Sequence, residues 1–196
     1  MGVAASGSPR SAVLIAGIAG LVAGSMSMAA GEYVSVSSQA DTEAADLAKE
    51  RRELASSPDA EKAELVAIYV SRGLTAELAT QVAEQLMARD PLEAHARDEL
   101  GLSEISMARP LQAAITSALT FASGALLPVL VSAVAPRSSF TWAVPASTIV
   151  LLAVLGGIAA RVGAAPIGRG ALRVMFWGVL AMAASAAVGR LFGAAL

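Results

Sequence analysis

Residues 11–40 read SAVLIAGIAGLVAGSMSMAAGEYVSVSSQA, a run whose single charge is Glu32. Its apolar part, Ser11 to Gly31, is long enough to cross a bilayer, which takes about 20 such residues. A carboxylate in or beside a bilayer is costly unless a cation, a proton or water offsets it, so position alone makes Glu32 a functional candidate. Met28 precedes it by one helical turn, and Ser35 and Gln39 continue the same face toward the polar part of the chain. A thioether beside a carboxylate suits a late divalent ion such as Fe²⁺ and is a poor site for Mg²⁺ or Ca²⁺. The plainer reading makes Glu32 an interfacial residue and the methionines ordinary packing.

Outward from this run the chain stays apolar except in one block. Hydrophobic residues make up 56% and charged residues 15%, against roughly 45–50% and about 25% in ordinary globular domains. The acidic residues other than Glu32 all fall between Asp41 and Glu104. Cysteine is absent, which excludes disulfides, zinc–thiolate sites and redox thiols. The only histidine is His95, so any metal site in one chain must rest on oxygen ligands, methionine sulfur and one imidazole.

Three further spans follow: Leu111–Val134, interrupted by Pro128; Phe140–Ala160, with Trp142 at an interfacial position; and Val174–Leu196, where Arg190 can snorkel. Alanine and leucine dominate without strand-like alternation, so the spans are helices. The first apolar run exceeds the core of about 7–15 residues in a secretory signal and has only Arg10 before it, which argues against cleavage. The expected architecture is all-α: a polytopic membrane helix bundle. Residues 1–40 carry the first span, 41–109 form a helical insert and 110–196 hold three spans. Arg161, Arg169 and Arg173 lie between the last two spans, against Arg137 alone in the preceding loop. The positive-inside rule then places that loop and the insert in the cytoplasm.

The insert reads as short helices. Asp41 to Ala55 continues the first span; Ser57-Pro58-Asp59 starts a helix that stops at Gly73; Thr75 caps one to Arg89; and Asp90-Pro91-Leu92-Glu93 opens a fourth that ends at Gly101. Leu47, Leu54, Leu65, Ile68, Tyr69, Leu78, Val82 and Leu86 are the expected core. Glu50 with Glu53, Glu61 with Glu64, and His95 with Glu99 are pairs at i,i+3 or i,i+4, each on one helical face. Carboxylates plus one histidine on facing helices bind iron or manganese in bundle cores. Interleaved with Lys49, Arg51, Arg52 and Lys62, the same glutamates also read as a solvated, salt-bridged face. Gly20 and Gly24 form a GxxxG pair, which serves either packing within the bundle or dimerisation.

Ser27-Met28-Ala29-Ala30-Gly31-Glu32-Tyr33-Val34-Ser35-Val36-Ser37-Ser38-Gln39, followed by Asp41-Thr42-Glu43, resembles the signature of the vacuolar iron transporter family. Arg51-Arg52-Glu53-Leu54, Ala67-Ile68-Tyr69-Val70, Gln85-Leu86-Met87, Arg97-Asp98-Glu99-Leu100-Gly101 and Arg109-Pro110-Leu111-Gln112-Ala113-Ala114 resemble its bacterial members. The resemblance implies a homodimeric exporter of Fe²⁺, often of Mn²⁺ too, that exchanges the ion for protons across a bacterial inner membrane. It implies that Glu50, Glu53, Glu61, Glu64 and Glu99 collect the ion, and that Met28 and Glu32 line the path. The role of His95 rests on its spacing from Glu99 alone. Family members begin with an additional helix bearing an Asp-Gly motif, of which Gly2-Val3-Ala4-Ala5-Ser6 resembles only the tail.

Two functions stay open on these residues. One is export of divalent iron or manganese, with the metal as transported ligand and no tightly bound cofactor. The other is a membrane-anchored protein that buffers or senses the metal without moving it. An intramembrane enzyme finds no support, because HExxH and GxSxG motifs are absent. No nucleic-acid partner is expected.

Overall fold

A computed structural model of the chain describes residues 2–102, 107–136 and 139–193. Every helix or strand among them is an α-helix: α1 (Gly2–Ala5), α2 (Arg10–Ser56), α3 (Pro58–Ser71), α4 (Ala76–Arg89), α5 (Pro91–Asp98), α6 (Pro110–Val134), α7 (Phe140–Val162) and α8 (Ile167–Gly193). Four of them, α2 and α6 to α8, contain stretches long and apolar enough to cross a membrane. The chain is a membrane helix bundle, as its hydropathy pattern predicts. It forms two compact units, Met1–Ala29 with Ile115–Leu196, and Ala30–Ala114.

In the first unit small residues set the approach of the helices. A Cβ added at Gly156 of α7 would lie 2.7 Å from the Gly170 carbonyl oxygen of α8, and one at Gly170 the same distance from the Gly156 oxygen. Only glycine fits this crossing. Gly24 of α2 lies under the Phe121 ring of α6, where a Cβ would come within 2.3 Å of it, whereas Gly20 has nothing within 4 Å. Half of the GxxxG pair is thus spent on packing within the bundle. The Arg10 side chain donates to the Ser132 and Ala133 carbonyls, which satisfies acceptors that the last turn of α6 leaves free.

The last span begins earlier than hydropathy suggests. α8 starts at Ile167, so Arg169 and Arg173 belong to its first turns, and the link from α7 shrinks to Gly163–Pro166. Pro166 accounts for this: its fixed φ opens a helix, and its carbonyl accepts from the Arg169 and Gly170 amides. Arg137 and the last residues to Leu196 lie outside the described residues.

The second unit holds the insert. No proline interrupts α2 between Pro9 and Pro58, and the helix runs unbroken through the polar boundary at Gln39–Asp41. Pro58 ends it, since the residue before a proline is driven out of the α region. Thr75 accepts from the Leu78 amide and Asp90 from the Glu93 amide, as their capping positions predict, while Ser57 makes no such bond. Leu65, Tyr69, Ala79, Ala83 and Ala94 form the core of α3, α4 and α5, with Val66, Leu74, Val82, Leu86 and Met87 against it. The core is alanine-lined where α4 packs, and Leu78 is exposed rather than buried. α5 ends at Asp98, one turn short of Gly101, and the Leu100 and Leu102 amides fold back onto the His95 and Ala96 carbonyls.

Candidate metal-binding site

Three helices of the insert each aim a polar side chain at one point. α2 supplies Glu50, α3 supplies Glu61, and α5 with its C-cap supplies His95 and Glu99. One donor atom from each of the four falls within 4.8 Å of the others. Two donors bound to one ion at about 2.1 Å lie no more than about 4.2 Å apart, so a modest contraction would close the set around a cation.

Burial is what distinguishes this cluster from a solvated face. His95 is fully buried, Glu50 is 2% exposed and Glu61 8%. Glu99 forms the outer edge. His95 Nδ1 stands 2.9 Å from Glu99, 3.1 Å from Glu50 and 4.0 Å from Glu61. Its hydrogen bond goes to Glu99. Among the described residues the buried Glu50 Oε1 therefore receives none, and neither does His95 Nε2. Buried polar atoms are ordinarily paired, so an unpaired carboxylate oxygen at the centre of a ligand-type cluster is what a cation would satisfy. Glu50 lies beyond the apolar part of α2. Its pKa is raised from 4.5 by burial first, and then by the neighbouring Glu99, with His95 opposing and Glu61 adding.

The structure brings together four of the eight residues that the sequence singles out. Glu53 turns aside to pair with Lys49 at 3.4 Å. Glu64 is exposed on α3. Residues at i and i+3 differ by about 60° around a helix, enough to send the second member of each glutamate pair off the ligand face. Met28 and Glu32 are exposed on α2, Met28 by 44%. Glu32 precedes Glu50 by about 27 Å of continuous helix, at 1.5 Å per residue.

Sequence reasoning missed Asp98. Its side chain accepts from Tyr69 Oη at 2.6 Å, Arg72 Nη1 at 2.6 Å and Arg97 Nη2 at 2.8 Å. Burial alone would raise its pKa, but hydrogen bonds from Arg97, Tyr69 and Arg72 outweigh that and hold it at about 2. The signal in the sequence was its place beside Glu99, within the family-like stretch Arg97-Asp98-Glu99-Leu100-Gly101.

Taken together, the four apolar helices define an integral membrane protein, and its polar insert gathers buried Glu50, Glu61 and His95, with Glu99 at their edge, into a group that could hold a metal ion. The chain belongs to the VIT family, whose model matches residues 1–190. A vacuolar iron transporter of Acanthamoeba castellanii is 46% identical over 193 residues, 96% of this chain and 72% of that protein. Vacuolar iron transporter 1 of Oryza sativa subsp. japonica is 36% identical over 132 residues, 66% of this chain and 52% of that protein. Vacuolar iron transporter homolog 1 of the same species is 34% identical over 194 residues, 98% of this chain and 66% of that protein. The chain is therefore shorter than each relative, spanning about half of the second.

Proposed function

We propose that this protein transports divalent iron, and manganese alongside it, out of the cytosol in exchange for protons. The observation that carries the reading is the Glu50–Glu61–His95–Glu99 cluster: buried but for Glu99, with Glu50 Oε1 unpaired among the described residues, and built partly from the helix that holds Met28 and Glu32. In this reading the insert faces the cytoplasm and captures the ion. The ion passes to Met28 and Glu32, and protonation of Glu32 from the far side releases it. The names of the relatives support iron as cargo; oxygen donors with one imidazole suit Fe²⁺ and Mn²⁺ alike. A second subunit packed along α2 would cover Ile15, Ile18, Val22 and Met26, all exposed in the single chain, together with Glu32. The test is metal flux into proteoliposomes. Glu32→Ala should abolish flux while leaving membrane insertion and metal capture intact, and unchanged flux would end the assignment.

One observation favours the alternative of an anchored buffer or sensor. Glu32 is exposed, and a long stretch of α2 separates it from Glu50. Calorimetry would show metal binding under either reading, whereas flux in the unsubstituted protein occurs under only one.

A further inference from the structure

The cluster depends on a short arm. α5 has eight residues, well below the length at which a helix holds itself together in water. At its start it is fixed, since Asp90 alone links it to α4 and caps it. His95 sits in its last turn, and Glu99 is its C-cap. Two of the four donors therefore ride on the end of the helix farther from the Asp90 cap.

Ala94 and His95 are buried and the Leu100 and Leu102 amides close the last turn, while the polar tie from that end to α3 is Asp98. Tyr69 reaches it from the buried face of α3, the face that also carries Glu61 and Leu65 at intervals of four. Arg72, at the C-cap of α3, grips the same residue twice: Nη1 to the carboxylate and Nη2 to the main-chain carbonyl at 2.7 Å. The guanidinium also lies 5.6 Å from the centre of the Tyr69 ring. Besides the core they share, α3 and α5 thus meet at two polar junctions, through Glu61 and His95 near one end of α3 and through Tyr69, Arg72 and Asp98 near the other. The second junction adds a constraint on the rotation and the height of α5. Asp98 itself is not aimed at the cluster, because its acceptors are taken by three donors.

We propose that Asp98, held by Tyr69 and Arg72, is a positioning residue that sets the His95–Glu99 arm at ion-binding geometry. The inference rests on the metal-capture reading of the cluster and assigns a role to residues outside it. Partners that orient metal ligands without touching the ion typically change affinity by about 10–100-fold when removed.

The test uses the full chain in detergent, with Mn²⁺ titrated calorimetrically and Co²⁺ absorption reporting the coordination. Asp98→Asn should weaken Mn²⁺ binding at least about tenfold and alter the Co²⁺ spectrum as a donor of the arm leaves. Tyr69→Phe, which removes one hydroxyl and keeps both arginine contacts, should weaken binding less but in the same direction. Adding Arg72→Ala to Asp98→Asn should cost little more, since both substitutions break one network. Far-ultraviolet circular dichroism identifies the folded variants. Should Asp98→Asn fail to fold, Tyr69→Phe decides. Folded variants that bind Mn²⁺ like the parent and give its Co²⁺ spectrum, whatever their melting temperature, overturn the proposal and leave capture untouched. A parent chain that binds no Mn²⁺ removes both.

Discussion

Glu50 and His95 stand 3.1 Å apart, both withdrawn from solvent, with no hydrogen bond between them. The imidazole N–H has one direction and spends it on Glu99. Glu50 is left as a buried carboxyl group with Glu99 and Glu61 beside it and only the His95 imidazole opposing them. Such a group costs stability when the site is empty and contributes affinity when a cation arrives. Glu50→Gln should therefore divide the two effects. Without metal the variant should be the more stable protein, by about 1–3 kcal/mol, the usual cost of one unsatisfied buried polar group. Its Mn²⁺ affinity should fall by an order of magnitude or more. Thermal melts with and without Mn²⁺ check both: the parent should gain strongly from the ion, the variant little.

The same residue sets a pH dependence. Its folded pKa is raised above 4.5, chiefly by burial and then by Glu99, so the folded state holds this proton more tightly than the unfolded state. As pH falls through the raised value, protonation relieves the empty site and stabilises it. The same proton competes with the metal. Mn²⁺ affinity should accordingly begin to decline at a pH above the ordinary glutamate range, while the metal-free protein gains stability from this group. Titrations from pH 8 to pH 4 should show the two trends in opposition, and Glu50→Gln should flatten both.

Asp98 behaves in the opposite sense. Its pKa drops from 3.8 to about 2, so its stabilisation is complete above the unfolded value and is lost as pH falls toward the folded one. The shift corresponds to about 2 kcal/mol. Asp98→Asn should be destabilised by roughly that amount at neutral pH. The difference from the parent should shrink steeply as pH falls toward 2 and vanish only below it, which denaturant unfolding in detergent at three pH values would show.

Why some of this was legible in the sequence and some was not follows from range. Helix starts and stops are local: Thr75, Asp90 and Pro58 act on residues within one turn, and each boundary lies where their chemistry puts it. Hydropathy located the spans for the same reason, though it could not see Pro166 extending α8 past Arg169 and Arg173. The cluster was half legible. Spacing picked out Glu50, Glu61, His95 and Glu99, but it picked Glu53 and Glu64 with equal force. Only the packing of α3 and α5 decides which member of each pair turns inward. The Asp98 junction was illegible, because Tyr69 and Arg72 meet it across more than 25 residues of chain.

Close packing in the membrane unit yields a prediction independent of the metal. Gly156→Val would drive a Cβ into the Gly170 carbonyl, with Val174 also within 3 Å. Neither is a flexible side chain that can step aside, so α7 and α8 must separate. The expected loss is about 1–3 kcal/mol, as for other overpacked sites, read as a lower melting temperature in detergent. Leu155→Val, one residue along on an exposed face of α7, should change it little.

The last prediction sets geometry against resemblance. The family likeness gives Glu50, Glu53, Glu61, Glu64 and Glu99 one role, whereas the structure buries Glu50 and Glu61, aims Glu99 at His95, and leaves Glu53 with Lys49 and Glu64 exposed. If direct ligation follows the geometry, Glu61→Gln should reduce Mn²⁺ affinity at least about tenfold, a loss of about 1.4 kcal/mol. Glu53→Gln and Glu64→Gln act only through the field of a solvated charge, which salt screens. Their effect should stay within about threefold and shrink between low and physiological ionic strength. Calorimetry on the three variants at two salt concentrations separates the cases. A tenfold, salt-independent loss at Glu53 or Glu64 would show that the insert closes further around its ion, drawing those side chains in from the surface.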